Sequence, residues 1–118
     1  MADEQKYANY IPDFFECDTV DKAREIILTG NDTMSTEDRW REETTFLAEE
    51  MGREFNITSS DLILDYGCGI GRVAKALIER YGCRVMGLDI SASMRKMALE
   101  YVNSQQFSVV SPQDFDLL

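Results

Sequence analysis

The first part of the chain has apolar residues at helical spacing. Residues 20–28, VDKAREIIL, are followed shortly by Gly30, so a short helix stopped by that glycine is predicted. Ser35 then precedes an acidic first turn, which indicates the N-cap of a second helix. One stripe of that helix, with residues three and four apart, is expected to pack inward: Trp40, Thr44, Leu47, Met51 and Phe55.

From about residue 57 the pattern changes to alternating strands and helices. Residues 62–65 form a short apolar run typical of a buried strand, and residues 84–89 and 107–110 give two more strands. A helix is predicted between each strand and the next. The first helix ends at Gly82, and its apolar face is formed by Val73, Ala74, Leu77, Ile78 and Tyr81. The second helix is capped by Ser91, and its apolar face is formed by Met94, Met97, Ala98, Tyr101 and Val102. This order predicts half of a doubly wound, parallel α/β sheet with right-handed crossovers. We assign residues 1–56 to an N-terminal helical segment or cap and residues 57–118 to this βαβαβ unit.

A glycine-rich turn joins the first predicted strand to the following helix. It has the sequence Asp65-Tyr66-Gly67-Cys68-Gly69-Ile70-Gly71. Ligands of doubly wound sheets bind at the carboxyl ends of the strands, and glycine permits both close backbone approach and positive φ. The dinucleotide fingerprint Gly-x-Gly-x-x-Gly would need its third glycine at Arg72, one residue later than here. A carboxylate such as Asp65 beside the turn disfavours a pyrophosphate and favours a cation.

Composition and charge exclude some classes of function. The 118 residues include 12 Lys and Arg, 22 Asp and Glu and no His, for a net charge of −10; residues 1–60 alone hold 15 acidic and 6 basic residues. So acidic a chain is not expected to bind nucleic acid, and chemistry that requires an imidazole is excluded. No apolar run approaches the roughly 20 residues of a membrane span, and the polar start is unlike a signal peptide. Three cysteines without a Cys-x-x-Cys pair favour a cytoplasmic protein with neither a disulfide framework nor a metal site.

Two segments resemble motifs of class I S-adenosylmethionine-dependent methyltransferases. Residues 62–71, LILDYGCGIG, are similar to the first motif of that family, and residues 85–91, VMGLDIS, are similar to its second motif. The resemblance extends over about residues 57–110. It implies a partial Rossmann-like parallel sheet with strand order 3-2-1, S-adenosyl-L-methionine as cofactor, and methyl transfer to an acceptor, for which a small molecule is the default expectation.

The resemblance also implies site residues. Asp65 would lie near the amino end of the methionine, directly or through water, and Asp89 would accept hydrogen bonds from both ribose hydroxyls. The turn would line the methionine and ribose with its backbone. The family often places an acid after the third strand, near the adenine; Ser111 occupies that position here, and Asp114 follows three residues later. The implied cofactor-binding set is Asp65, Gly67, Cys68, Gly69, Gly71, Asp89, Ile90 and Asp114. No catalytic residue is implied.

Simpler interpretations of some residues stay open. The glycines could form only a tight turn, Asp65 could bond the backbone of the turn, and Asp89 could cap the next helix. Cys68 has no neighbouring His or Lys to activate it, so we expect a small packing residue. We expect Arg72 to lie at the surface or in the turn, and Trp40 to lie in the core. Four N-terminal aromatic residues could form part of a lid over the cofactor or pack beneath the first helices: Tyr7, Tyr10, Phe14 and Phe15.

Two other functions stay open: a nicotinamide- or flavin-binding domain, and a methyltransferase-like module that binds partners without catalysis.

The sheet of the family has seven strands, so we expect a truncated part of a longer methyltransferase that is inactive alone. Truncation would leave residues 62–65 as an apolar edge and expose Ile63, Val85, Phe107 or their neighbours on one face. We therefore expect a homodimer formed through that edge or face.

Overall fold

The computed structural model describes residues 16–28 and 35–116. The elements in chain order are α1 (Val20–Ile27), α2 (Thr36–Phe55), β1 (Leu62–Tyr66), α3 (Arg72–Tyr81), β2 (Arg84–Leu88), α4 (Ala92–Val102), β3 (Phe107–Val110) and α5 (Pro112–Phe115). The predicted strands and helices are confirmed, with ends that differ by one or two residues. The helix stop at Gly30 and the four N-terminal aromatic residues lie outside the described residues. Within the described part, no helix is long and apolar enough to cross a membrane.

The three strands form one parallel sheet in the order β1-β2-β3, which is the predicted 3-2-1 arrangement. Asp65 of β1 is in register with Gly87 of β2, and Gly87 with Val109 of β3. The carboxyl ends of all three strands therefore lie along one edge. That edge is where the glycine turn begins and where Asp89 follows β2.

Local capping signals explain where the helices begin and end. The side chain of Ser35 accepts a hydrogen bond from the Asp38 amide at 3.1 Å, and that of Ser91 accepts one from the Met94 amide at 3.2 Å. Gly82 ends α3 with a φ of +69°, a conformation that favours glycine. The predicted roles of Ser35, Ser91 and Gly82 are confirmed.

Helices α3 and α4 cover the same face of the sheet. Their apolar residues pack with Val85 and Phe107, which are both buried. These two strand residues therefore lie beneath the helices, so the expectation of an exposed apolar face is wrong for Val85 and Phe107 and is confirmed for Leu62 and Leu64, the neighbours of Ile63. Because side chains alternate along a strand, the sequence neighbours of Val85 and Phe107 face the other side.

The other face and the outer edge of β1 are exposed. Leu62 is 57% exposed and Leu64 is 50% exposed, so the prediction of a buried strand is wrong for this face. The physical reason is that no described element packs over these side chains. An apolar groove of about 360 Å³ continues from this edge between β1, α2 and α3, and Phe55 is among its lining residues.

Helix α2 packs on α3 through a face slightly different from the predicted one. Trp40 is buried as expected, but Phe55 is 74% exposed, and the other buried positions are Ala48 and Gly52. Tyr81 of α3 lies over Gly52 and donates a hydrogen bond to the Ala48 carbonyl at 3.2 Å. The packed surface follows the small residues of α2, because they leave room for that ring.

Candidate cofactor-binding site

The glycine turn is held against the end of β2 by its own backbone. The amides of Gly67 and Cys68 both donate to the Leu88 carbonyl, at 2.7 and 2.9 Å, and the Gly71 amide donates to the Cys68 carbonyl at 2.9 Å. Gly67, Gly69 and Gly71 have φ of +76°, +57° and +83°. The turn requires glycine at these positions because side chains disfavour this conformation.

The surroundings of the three glycines differ. A Cβ atom at Gly71 would lie 2.3 Å from Cγ2 of Val102, so this glycine allows the turn to pack against α4. A Cβ atom at Gly69 would lie 3.4 Å from Cδ1 of Ile27 in α1. A Cβ atom at Gly67 would have no neighbour within 4 Å. The open side of the turn is therefore at Gly67, and α1 borders it at Gly69.

The Asp89 carboxylate points into the mouth of the turn, as the sequence predicts. Its Oδ2 atom accepts a hydrogen bond from the Gly69 amide at 2.8 Å, and its Oδ1 atom accepts one from the Ser91 amide at 2.9 Å. Arg95 donates to the Asp89 carbonyl at 2.7 Å. The sequence did not predict that backbone amides bond both oxygens. Each oxygen keeps a second lone pair, so the carboxylate is oriented and still able to accept further hydrogen bonds.

Asp65 is the second carboxylate of the site. It is the penultimate residue of β1, and no described residue donates a hydrogen bond to its side chain. Loss of solvent on burial, and then the negative charge of Asp89, raise the pKa of Asp65 above its usual value. Two neighbouring carboxylates that have lost part of their water favour a cationic ligand.

The side chain of Cys68 is used for packing. Its Sγ atom lies 2.6 Å from the position that a Cβ atom on Gly87 would take, so the thiol fills the space above β2. Burial, followed by the charges of Asp65 and Asp89, raises the pKa of the thiol to about 12. A thiol with that pKa is not a nucleophile at neutral pH. Cys68 is thus a small residue beside the candidate site, as expected.

The other predicted residues lie at different points along the carboxyl edge. Ile90 follows Asp89 and is 39% exposed, and Asp114 is exposed on α5, after β3. Arg72 corrects an expectation: it begins α3, but its side chain is mostly buried, with the guanidinium carbon 5.1 Å from the centre of the Trp40 ring. The expected position is right in that Arg72 directly follows the turn and wrong in that the side chain is not exposed, because the Trp40 ring, the Thr44 hydroxyl and the nearby Glu43 carboxylate surround it.

Residues near the start of the described chain contact the site, and no feature of the sequence predicts this contact. The Ser91 hydroxyl donates to the Glu16 carboxylate at 2.8 Å, and the Cys17 amide donates to the Ser93 hydroxyl at 3.1 Å. Hydrogen bonds from the side chains of Ser93 and Ser91 lower the pKa of Glu16. These partners are about 75 positions apart in the chain. No periodicity or local motif signals contacts over that distance.

The chain is similar in sequence to known methyltransferases. A family model described as "Methyltransferase domain" matches residues 63–117. The N-demethylindolmycin N-methyltransferase of Streptomyces griseus is 56% identical over 36 residues, which are 30% of this chain and 15% of that protein. The trans-aconitate 2-methyltransferase of Paracidovorax citrulli is 33% identical over 70 residues, which are 58% of this chain and 27% of that protein.

A solved structure has the same architecture. The magnesium protoporphyrin IX methyltransferase of Synechocystis PCC 6803, crystallised with bound S-adenosylhomocysteine (SAH), superposes with a TM-score of 0.60. It is 19% identical, and the match covers 88% of this chain and 50% of that one. The chain spans between 10% and 27% of the length of the curated relatives it matches.

These matches agree with the resemblance that the two motifs carry: residues 63–117 match a methyltransferase-domain model, and the fold is similar to that of a methyltransferase structure. The partial Rossmann-like sheet is also present in that SAH-bound structure, and the matches to methyltransferases indicate S-adenosylmethionine as the cofactor.

Proposed function

We propose that this chain is the cofactor-binding part of a methyltransferase and holds S-adenosylmethionine at the carboxyl edge of the sheet. The observation that carries the proposal is the arrangement of two carboxylates beside an open glycine. Asp65 has no hydrogen-bond donor among the described residues and has a raised pKa, Asp89 is aimed into the turn, and Gly67 faces open space. A ligand with a positive charge and a diol satisfies all three features.

Each residue has a role in this proposal. Asp65 receives the methionine ammonium, and the backbone at Gly67 and Gly69 lies along the methionine and ribose. Asp89 accepts hydrogen bonds from the ribose hydroxyls through its remaining lone pairs. The candidates on the adenine side are Ile90 and Asp114. The cofactor supplies an activated methyl group on a sulfonium, while these residues bind, orient and exclude water.

We propose a small-molecule acceptor and a cytoplasmic setting. Two relatives named for small acceptors, N-demethylindolmycin and trans-aconitate, support the first point, and the net charge of −10 disfavours a nucleic acid. The sequence contains no His that could act as a general base. The Cys68 thiol, with a pKa of about 12, does not act as a general base at neutral pH either. We therefore expect this chain alone to bind cofactor without turnover.

Calorimetry with S-adenosylmethionine and SAH tests the proposal. We expect both to bind, and Asp89→Ala to weaken binding about 10- to 100-fold, since hydrogen bonds to a charged group contribute about 1.5–3 kcal/mol. Asp116→Ala, which removes an exposed acid after α5, is the matched control and should bind like the wild type. The proposal fails if neither compound binds, if NAD or FAD binds instead, or if folded Asp89→Ala binds with unchanged affinity.

A further inference from the structure

The single tryptophan of the chain lies at a junction of four helices. Trp40 of α2 is 4% exposed, and its Nε1 atom donates a hydrogen bond to the Tyr101 hydroxyl of α4 at 2.7 Å. The guanidinium carbons of Arg24, from α1, and Arg72, from α3, lie 5.0 and 5.1 Å from the centre of its ring. Both distances are within the range of cation–π attraction.

Besides the ring, each arginine has a carboxylate near it: Arg24 pairs with Glu37 at 2.7 Å, and a terminal nitrogen of Arg72 lies 4.0 Å from Glu43. Arg72 also donates through Nε to Thr44 at 2.7 Å. The Nε atom of Arg24 and one terminal nitrogen of Arg72 are buried with no hydrogen-bond partner among the described residues. A buried donor without an acceptor is unfavourable, and the cation–π contact with the ring adds to the polar partners that hold both cations in place.

This junction is connected directly to the candidate cofactor site. Arg72 is the residue after Gly71, so its position sets where the glycine turn ends and α3 begins. On the other side, Ile27 of α1 lies against Gly69, and the fully buried Ile70 packs in the same cluster as Ala23 of α1 and Trp40. The turn and α1 are therefore held by the same ring.

We propose that Arg24 and Arg72, held over the Trp40 ring, are positioning residues that fix α1 against the glycine turn and so shape the cofactor site. The inference rests on the proposed function for its ligand and on the unliganded fold for its geometry. Neither arginine is placed against the cofactor; both act through the position of the turn and of α1.

Hydrogen exchange of the unliganded full chain tests the geometry. Arg24→Met keeps an unbranched apolar stem and removes the guanidinium with its charge, so we expect the amides of α1 and of Gly69 and Ile70 to exchange about tenfold faster. Arg24→Lys restores a cation over the ring and should recover part of the protection, although lysine lacks the planar guanidinium. The matched control is Arg80→Met, which removes the Arg80–Glu49 ion pair between α3 and α2, away from the ring. Unchanged exchange at Gly69 and Ile70 in Arg24→Met would overturn the proposal.

Binding of SAH to the same variants tests the consequence. We expect Arg24→Met to raise Kd about tenfold, which is about 1.4 kcal/mol, with a smaller effect for Arg24→Lys and none for Arg80→Met. Trp40 fluorescence should change on binding to the wild type. If the wild type binds and Arg24→Met binds equally well, the inference is wrong. If the wild type does not bind at all, the proposed function fails, and the exchange experiment alone decides whether the ring couples α1 to the turn.

Discussion

At the residue scale, the fold treats the two carboxylates of the site differently. Asp89 is oriented by the amides of Gly69 and Ser91, whereas Asp65 has no described donor and loses solvent beside Asp89. The first arrangement lowers the cost of orienting the side chain when a ligand binds. The second leaves a carboxylate whose charge is unfavourable until a cation arrives. We infer that Asp65 is maintained at a cost to stability.

That cost has a defined pH dependence. The folded-state pKa of Asp65 is raised above its unfolded value of 3.8. Below pH 3.8 the side chain is protonated in both states, so its contribution to stability is fully present. That contribution is lost as the pH rises through the folded-state pKa and the buried side chain becomes charged. We predict that Asp65→Asn has a higher Tm than the wild type at pH 7, and that the difference shrinks as the pH falls toward 3.8. The other titratable groups at this position are Asp89 and the Cys68 thiol.

Thermal unfolding at pH 7 and at acidic pH measures this difference, with Asp116→Asn as the control for loss of one exposed charge. Asp65→Asn should also bind S-adenosylmethionine more weakly while being more stable. A lower Tm for Asp65→Asn at pH 7 would contradict the conclusion that burial makes the charge of Asp65 unfavourable to the fold.

A second prediction concerns the contact between the turn and β2. A Cβ atom on Gly87 would lie 2.6 Å from the Sγ atom of Cys68 and 3.3 Å from Cε1 of Phe107. Gly87→Ala should therefore destabilise the fold by about 1–3 kcal/mol through overpacking. Adding Cys68→Ala removes the sulfur, so the double variant should be more stable than the sum of the two single effects predicts. Urea unfolding of the four proteins in the cycle measures the coupling, and strictly additive effects would exclude the contact.

At the scale of elements, the α2–α3 interface gives a test in which two effects oppose each other. Alanine is about 1 kcal/mol better than glycine inside a helix. A Cβ atom at Gly52 of α2, however, would lie 1.8 Å from the Tyr81 hydroxyl oxygen, so the ring would have to move and lose its hydrogen bond to Ala48. We predict that the steric effect is larger and that Gly52→Ala lowers the free energy of unfolding by about 1–3 kcal/mol.

The control for helix propensity is Thr45→Ala, at an exposed position of the same helix, which should be neutral or stabilising. In the background of Tyr81→Leu, which shortens the side chain over Gly52, the Gly52→Ala substitution should become nearly neutral. Equal destabilisation by Gly52→Ala in both backgrounds would show that Tyr81 is not the residue it meets.

Elements that depend on local signals were predicted well from the sequence. The caps Ser35, Ser91 and Gly82 and the three strands follow from neighbouring residues, and the turn with Asp65 and Asp89 follows from two short motifs. Contacts between distant segments were not predictable. The exposure of Phe55, the burial of Arg72 over Trp40 and the bond from Ser91 to Glu16 all depend on which elements meet in three dimensions.

At the scale of the whole molecule, the most unusual surface is the outer side of β1. Among the described strands, β1 pairs with β2 on one edge only, so its other edge presents unpaired backbone groups. Leu62, Leu64 and Tyr66 are at least half exposed on the neighbouring face, and Phe55 is exposed at the adjoining groove. Open edges that combine apolar side chains with free backbone groups favour pairing with another strand.

We predict that a second copy of this chain pairs through the β1 edge. A twofold axis would place two identical edges side by side and bury the same apolar side chains from each copy. Each copy carries a net charge of −10, so association should strengthen as salt screens the repulsion.

Leu64→Lys places a charge in the paired surface and should give a monomer. Leu99→Lys changes a leucine on α4 that is 55% exposed and lies on the face opposite this surface, so it should still associate. Sedimentation velocity at several concentrations and two salt levels measures both variants. A wild-type chain that is monomeric throughout, or equal effects of the two lysines, would exclude pairing at β1.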